Sequence, residues 1–316
     1  MDKIFQAAKN VLVSCMGVKE GEVVLVVVDT PQVDLGRAFY EQAVDLGAEA
    51  QLIQYLPRGN NGVEPPPAVA AAMAASQVVI MPTSTSLSHT QARKEANNQG
   101  ARVASLPGLT KEMMERTLLG DYGEIARRSK TVAALLDDGE IVEITAPGGT
   151  DLTMSIKGRS GIADTGELAA KGSFGNLPAG EAYVAPVEGT ASGKIVIDGA
   201  MAGIGKVSDA ITIVVANGLA VDFQGGKEAL KLKQMLEQHG EEGRNIAELG
   251  IGTNDLAKLT GQVLEDEKVL GTIHIAVGDN HTFGGEVTVP VHLDGMVLSP
   301  TVKIDGKVVL DRGKLA

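Results

Sequence analysis

The spacing of apolar residues changes character along the chain. Residues 2–16 place Ile4, Ala7, Ala8, Val11 and Leu12 at helical intervals, which predicts a helix. Residues 22–29, EVVLVVVD, are a nearly unbroken β-branched run between Gly21 and Pro31. A strand buried on both faces reads this way. A helix follows at 33–46, closed by Gly47, then a strand at 48–55 and a helix at 65–75 entered through three prolines. A strand at 77–81, a helix at 89–98 and a strand at 101–105 continue the series. Strands separated by helices predict an α/β domain with a mostly parallel sheet over residues 1–110.

After a helical stretch at 111–136 the texture changes. Short strands are expected at 140–145, 151–157, 194–198 and 211–215, between Gly-rich turns. One clear helix at 227–239 and a smaller one near 255–264 interrupt them. Strands resume at 269–277, 287–293 and 301–304, and Asp305-Gly306 before 307–310 predicts a hairpin. Residues 111–316 are therefore expected to form a β-rich α+β domain.

Composition narrows the partners. The chain has 28 Lys+Arg against 40 Asp+Glu, a net charge of −12, so it lacks the basic balance that phosphate backbones or anionic membranes require. Aromatic residues are 3%, with no Trp, which leaves few platforms for stacking bases. Cys15 is the single cysteine, so an intramolecular disulfide is impossible, and its place on the first helix suggests a buried thiol. The apolar runs at 23–28 and 68–75 are too short to span a bilayer, and the N-terminus lacks a secretory apolar region. The expectation is a soluble cytoplasmic protein with no nucleic-acid or membrane partner.

Nucleotide and serine-hydrolase motifs fail. The stretch 189–194, GTASGK, is one residue short of a Walker A loop and is followed by Ile195 where a hydroxyl is needed. The first strand-to-helix junction, at 28–32, has no G-x-G-x-x-G, and the chain has no G-x-S-x-G.

Histidine is more informative. Of five, His274, His281 and His292 fall close together. In 270–277, LGTIHIAV, strand alternation puts Thr272, His274 and Ala276 on one face. His292 and Asp294 are two apart and share a face, about 7 Å apart at Cα by strand rise, so one metal ion can meet both. With a second strand histidine this is the residue set of a 2-His-1-carboxylate site. The plainer alternative is a hydrogen-bonded core histidine. Glu181 in 176–186, NLPAGEAYVAP, and Glu248 in 245–253, NIAELGIGT, lie among apolar and small residues. A buried carboxylate needs a partner or a cation. No Lys or Arg stands within three positions of Glu181, which leaves a cation vacancy, whereas Arg244 could pair with Glu248.

These motifs carry a resemblance. Residues 176–186 (NLPAGEAYVAP), 248–254 (ELGIGTN), 271–278 (GTIHIAVG) and 292–295 (HLDG) are similar to thermophilic metalloaminopeptidases, the leucyl aminopeptidases of the aminopeptidase T and aminopeptidase S type. Residues 88–108 and 149–159 match in order as well, so the similarity spans nearly the whole chain. The resemblance implies an α/β N-terminal domain, a β-rich C-terminal domain with a dinuclear metal centre, and a homodimer. It implies metal ligands at Glu181, Glu248, His274, His292 and Asp294. Two divalent ions per chain (Zn, Co or Mn) would activate a water that releases N-terminal amino acids from a small peptide or amino-acid-derived substrate.

Two departures stand out. The chain is shorter than typical members, and the family's tyrosine seven residues after the first ligand histidine is His281 here. His281 is then the candidate for stabilising the transition state. The fold family also resembles ring-opening dihydroxypyridine dioxygenases, which hold one Fe(II) with His, His and Asp; here these would be His274, His292 and Asp294. A non-enzymatic metal-binding relative is a third reading. Charge balance favours two ions, since the dioxygenase set leaves Glu181 and Glu248 buried without a cation. His89, just before a predicted helix, is either a substrate contact or a solvated helix start.

Overall fold

The computed structural model describes residues 2–316. The chain up to Glu124, together with Gly166–Ala179, forms one compact unit; Ile125–Thr165 and Gly180–Ala316 form the other. The architecture is an α/β region with a parallel sheet followed by a β-rich, largely antiparallel region.

In the first unit Val23–Asp29 is the inner strand that its β-branched run predicts, with Val24 to Val28 fully buried. It pairs in parallel with Glu49–Tyr55 on one side and Val78–Met81 on the other. Arg102–Ser105 extends the sheet, and Phe174–Asn176 adds a fifth parallel strand at its edge. That last strand comes from a later, three-residue segment too short to show a period. Helices Val33–Asp45, Pro67–Ala74 and Gln91–Asn98 make the crossovers. The side chain of Thr90 accepts from the Arg93 N–H and starts the third of these. The N-terminal helix Lys3–Asn10 passes into a π turn, Val11–Cys15, with Cys15 buried. The expected helical stretch at 111–136 divides into Lys111–Thr117 and Tyr122–Asp137.

The second unit has an eight-stranded and a seven-stranded sheet. Val142, Ile144, Leu152, Ile195 and Ile213 from the first meet Leu249, Ile251, Ile273, Ile275 and Val297 from the second in one hydrophobic core. Leu232 and Leu236 of helix Lys227–Glu237 join it. Thr301–Ile304 and Lys307–Asp311 form the expected hairpin. Asp305 (φ 49°) and Gly306 (φ 77°) supply the left-handed turn it requires.

The seven-stranded sheet runs in the order Gly205–Lys206, Ala200–Met201, His292–Val297, Ile273–Gly278, Ile246–Gly252, Glu181–Val184, Ile162–Asp164. Ile246–Gly252 and Glu181–Val184 escape sequence reading, because glycines and a carboxylate interrupt the β pattern. The strand expected at 287–293 begins only at His292, and Pro290 before it cannot donate to a ladder. The helix expected at 255–264 is reduced to one turn, Val263–Asp266. Among the described residues no helix is long and apolar enough to cross a membrane.

Candidate metal centre

Cross-strand register assembles the site on one face of the seven-stranded sheet. Asp294 pairs with Ala276, and Ala276 with Glu248, in a row across three strands. The next row on the same face is Met296, His274, Gly250 and Tyr183. His292 stands opposite Gly278, and Glu181 opposite Gly252 and Asp164. All five ligand candidates therefore point to one side, with small residues between them that leave room above the sheet.

Glu248 reaches that face through a β-bulge. Ile246 pairs with Val277 but Glu248 with Ala276, so two steps on one strand match one on the other. Ile246 turns into the core while Glu248 turns to the site. A β-carbon on Gly250 would lie 2.0 Å from His274 Cε1 and Nε2, so the imidazole rests on the glycine.

Distances within the cluster are short. His292 Nε2 is 3.3 Å from Asp294 Oδ1 and 3.5 Å from Glu248 Oε2. Ligand atoms of Glu248, His292 and Asp294 all lie within 4.8 Å of one another. Donors bound to one ion at about 2.1 Å are separated by about 3 Å at right angles and about 3.4 Å at tetrahedral angles, so these three fit one ion. His274 Nε2 borders them, 3.0 Å from Glu248 Oε1 and 3.5 Å from Glu181 Oε2. His292 Nδ1 donates to the Asp279 carbonyl at 2.7 Å, which leaves Nε2 to the carboxylates. A backbone acceptor behind the imidazole is the usual support of a metal ligand. Mixed nitrogen and carboxylate donors suit a first-row divalent ion. Buried Glu181 Oε2 and His274 Nδ1 have no hydrogen-bond partner.

In the metal-free protein, protons compensate the carboxylates. Burial works against charge on His292, but Asp294 and Glu248 raise it to about 10. Burial likewise opposes charge on His274, and Glu248 and Glu181 raise it to about 9. Burial pushes Asp294 up, but His292 outweighs it and holds the carboxyl at about 2.

The cation vacancy expected at Glu181 is filled. Lys268, 1% exposed, places Nζ 2.5 Å from Glu181 Oε1, 2.8 Å from Glu267 Oε1 and 3.3 Å from Asp164 Oδ2. It lies 87 positions from Glu181, far outside any local sequence window. Burial disfavours its charge, but the surrounding carboxylates keep it protonated, well above its ordinary range. The charge argument for a second metal ion thereby loses its premise at Glu181. Glu248 meets two imidazoles, while Arg244 lines a shallow cleft with Glu237 and Glu241.

His281 does not join the cluster; it is exposed on the turn His281–Phe283. Phe283, two residues on, is the aromatic neighbour of the site, and sequence reading missed it. Its ring stands edge-on to His292 (centroids 5.8 Å apart, 87°) and to Tyr183 (5.7 Å, 81°). The turn is pinned by Glu188 Oε1, which accepts from Asn280 Nδ2 at 2.8 Å and from the Glu286 N–H at 2.9 Å. In the first unit, His89 is exposed in the turn before Gln91–Asn98.

Fold and donor set together place a cluster of imidazole and carboxylate groups that could hold a metal ion on one face of the seven-stranded sheet. The family model of NicX, 2,5-dihydroxypyridine 5,6-dioxygenase, matches residues 3–316, and the chain belongs to that family. The 2,5-dihydroxypyridine 5,6-dioxygenase of Pseudomonas putida KT2440 is 22% identical over 205 residues, 59% of this chain. The match spans 57% of that relative's length. The solved structure of 2,5-dihydroxypyridine dioxygenase from Pseudomonas putida KT2440 superposes with a TM-score of 0.84 at 20% identity, covering 99% of this chain and 96% of that one. Wild-type AmpT from Thermus thermophilus superposes with a TM-score of 0.73 at 18% identity, covering 99% of both chains.

The likeness to AmpT is one of fold. The expected aminopeptidase activity, and with it the hydrolase and protease class and the peptide substrate, is overturned by the family match.

Proposed function

We propose that this protein is a ring-opening dioxygenase of dihydroxylated N-heteroaromatic compounds, with one Fe(II) held by Glu248, His292 and Asp294 and bordered by His274. Family membership supports the reaction class. The observation that carries the one-ion form is the ammonium of Lys268 on Glu181 at 2.5 Å. Both atoms of O2 enter the substrate as a ring bond breaks, so no external reductant is needed. Ferrous iron, when bound, supplies the unpaired electrons that let a spin-paired ring react with O2.

The chain's own residues orient and protonate. His292 is held in one ring orientation by the Asp279 carbonyl. Tyr183 and Phe283 offer an aromatic flank beside the ligands, in a chain with only 4 Tyr and 5 Phe. A flat heteroaromatic ring suits such a wall. Burial raises Glu181 to about 8 against the pull of Lys268, so its Oε2, which makes no hydrogen bond and lies 3.5 Å from His274 Nε2, can hold a proton near neutral pH. That atom is our choice to take the proton of a ring hydroxyl and return it.

The test is oxygen uptake by protein purified without oxygen and loaded with Fe(II). With 2,5-dihydroxypyridine, uptake should match substrate loss one to one, and His292→Ala and Asp294→Ala should abolish it. Iron-loaded protein that consumes no O2 with any dihydroxypyridine would overturn the proposal.

A further inference from the structure

Lys268 does more than neutralise one glutamate. An ammonium has three N–H donors. Three carboxylate oxygens surround this one, from Glu181 (2.5 Å), Glu267 (2.8 Å) and Asp164 (3.3 Å). Two of its donors make hydrogen bonds, to Glu181 and Glu267, and its charge faces the Asp164 carboxylate as well. Three carboxylates around one positive charge are what a divalent cation would also seek. The second oxygen of Glu181 adds to that demand, since it is buried and without a hydrogen-bond partner.

The backbone holds the lysine in place. Its N–H donates to the Glu265 carbonyl at 3.0 Å, and its carbonyl accepts from the Asn254 N–H at 2.9 Å. Gly252 permits the approach, because a β-carbon there would lie 2.0 Å from the Val269 carbonyl oxygen.

We infer that Lys268 is a resident cation seated in a latent second metal site made by Glu181, Asp164 and Glu267, and that it limits this enzyme to a single metal ion. The inference rests on the metal-centre reading above. An ammonium and a divalent ion cannot share the same three oxygens. The lysine therefore keeps out the second ion that a dinuclear centre needs.

The test compares wild type, Lys268→Arg, Lys268→Met and the double variant Glu267→Gln/Lys268→Met. Each is stripped with chelator, equilibrated with excess Mn2+, and passed into metal-free buffer before metal analysis. Wild type and Lys268→Arg should hold about one ion per chain and Lys268→Met about two, with the second lost in the double variant. Wild type with two ions overturns the inference whatever the variants do, and so does folded Lys268→Met with one. Wild type with no ion overturns the metal-centre reading itself, which separates the two failures. If Lys268→Met is unfolded without metal, Mn2+ should restore its fold in a concentration-dependent way. Failure of Mn2+ to restore it overturns the inference.

Discussion

The imidazole of His274 lies across Gly250, close enough that a β-carbon at 250 would sit 2.0 Å from Nε2. The same Nε2 is 3.0 Å from Glu248, so a methyl group at 250 must displace the ring from that carboxylate. Gly250→Ala should cost about 1–3 kcal/mol through overpacking. It should also weaken metal binding by about 10–100-fold, since a bordering group is misplaced. Thermal melts and a metal titration check both. Unaltered metal affinity in Gly250→Ala would remove His274 from the site.

Glu181→Gln should leave the metal count unchanged and lower turnover. Its Oε1 is held by Lys268, so the residue is spoken for as an ion-pair partner and is not needed as a ligand. Loss of a proton carrier at Oε2 should reduce kcat by about 10²–10⁴-fold. A fall in bound metal alongside the fall in rate would instead make Glu181 a ligand.

Metal binding and stability should depend on pH in opposite senses. In the metal-free protein His292 is raised from 6.5 to about 10. Such a group contributes stability that is fully present below its unfolded value and is lost as pH rises through about 10. Melting temperature of the metal-free protein should therefore fall between pH 7 and 10, and His292→Gln should flatten that part of the profile. A metal ion must displace the His292 proton, so affinity should rise with pH by up to about tenfold per unit over the same range. Calorimetry in buffers of different ionisation enthalpy would reveal the released proton.

Phe283→Ala should spare the fold and damage substrate binding. The ring is half-buried and makes edge contacts with His292 and Tyr183. Each such pair is worth about 0.5–1.5 kcal/mol beyond area burial. KM for a flat aromatic substrate should rise while metal content stays the same. Loss of the metal in this variant would show that Phe283 supports His292 rather than the substrate.

Local patterns carried much of this molecule. The β-branched run at 22–29 demanded an inner parallel strand, and Asp305-Gly306 demanded a left-handed hairpin turn; both are found. His292 and Asp294 share a face because strand alternation is a property of the local backbone, and they stand 3.3 Å apart at their ligand atoms. The same rule placed His274 on a strand face, while Glu181 and Glu248 stood out only as carboxylates among apolar and small residues. It did not reveal that Ile246–Gly252 and Glu181–Val184 are central strands. Glycines that make room for imidazole and lysine look, in sequence, like loop.

Residue types and their periodicity thus determined by themselves the parallel sheet and the β-rich second region, and singled out candidate metal-binding groups. The tertiary structure alone decided which charge answers which. A bulge at 246–248 turned Glu248 to the site face, and a chain segment 87 residues away brought Lys268 to Glu181. Attraction between charges depends on distance in space and on burial, and neither can be counted along a sequence. Sequence reasoning assigned Glu181 a metal ion because it saw no cation nearby; folding had already provided one.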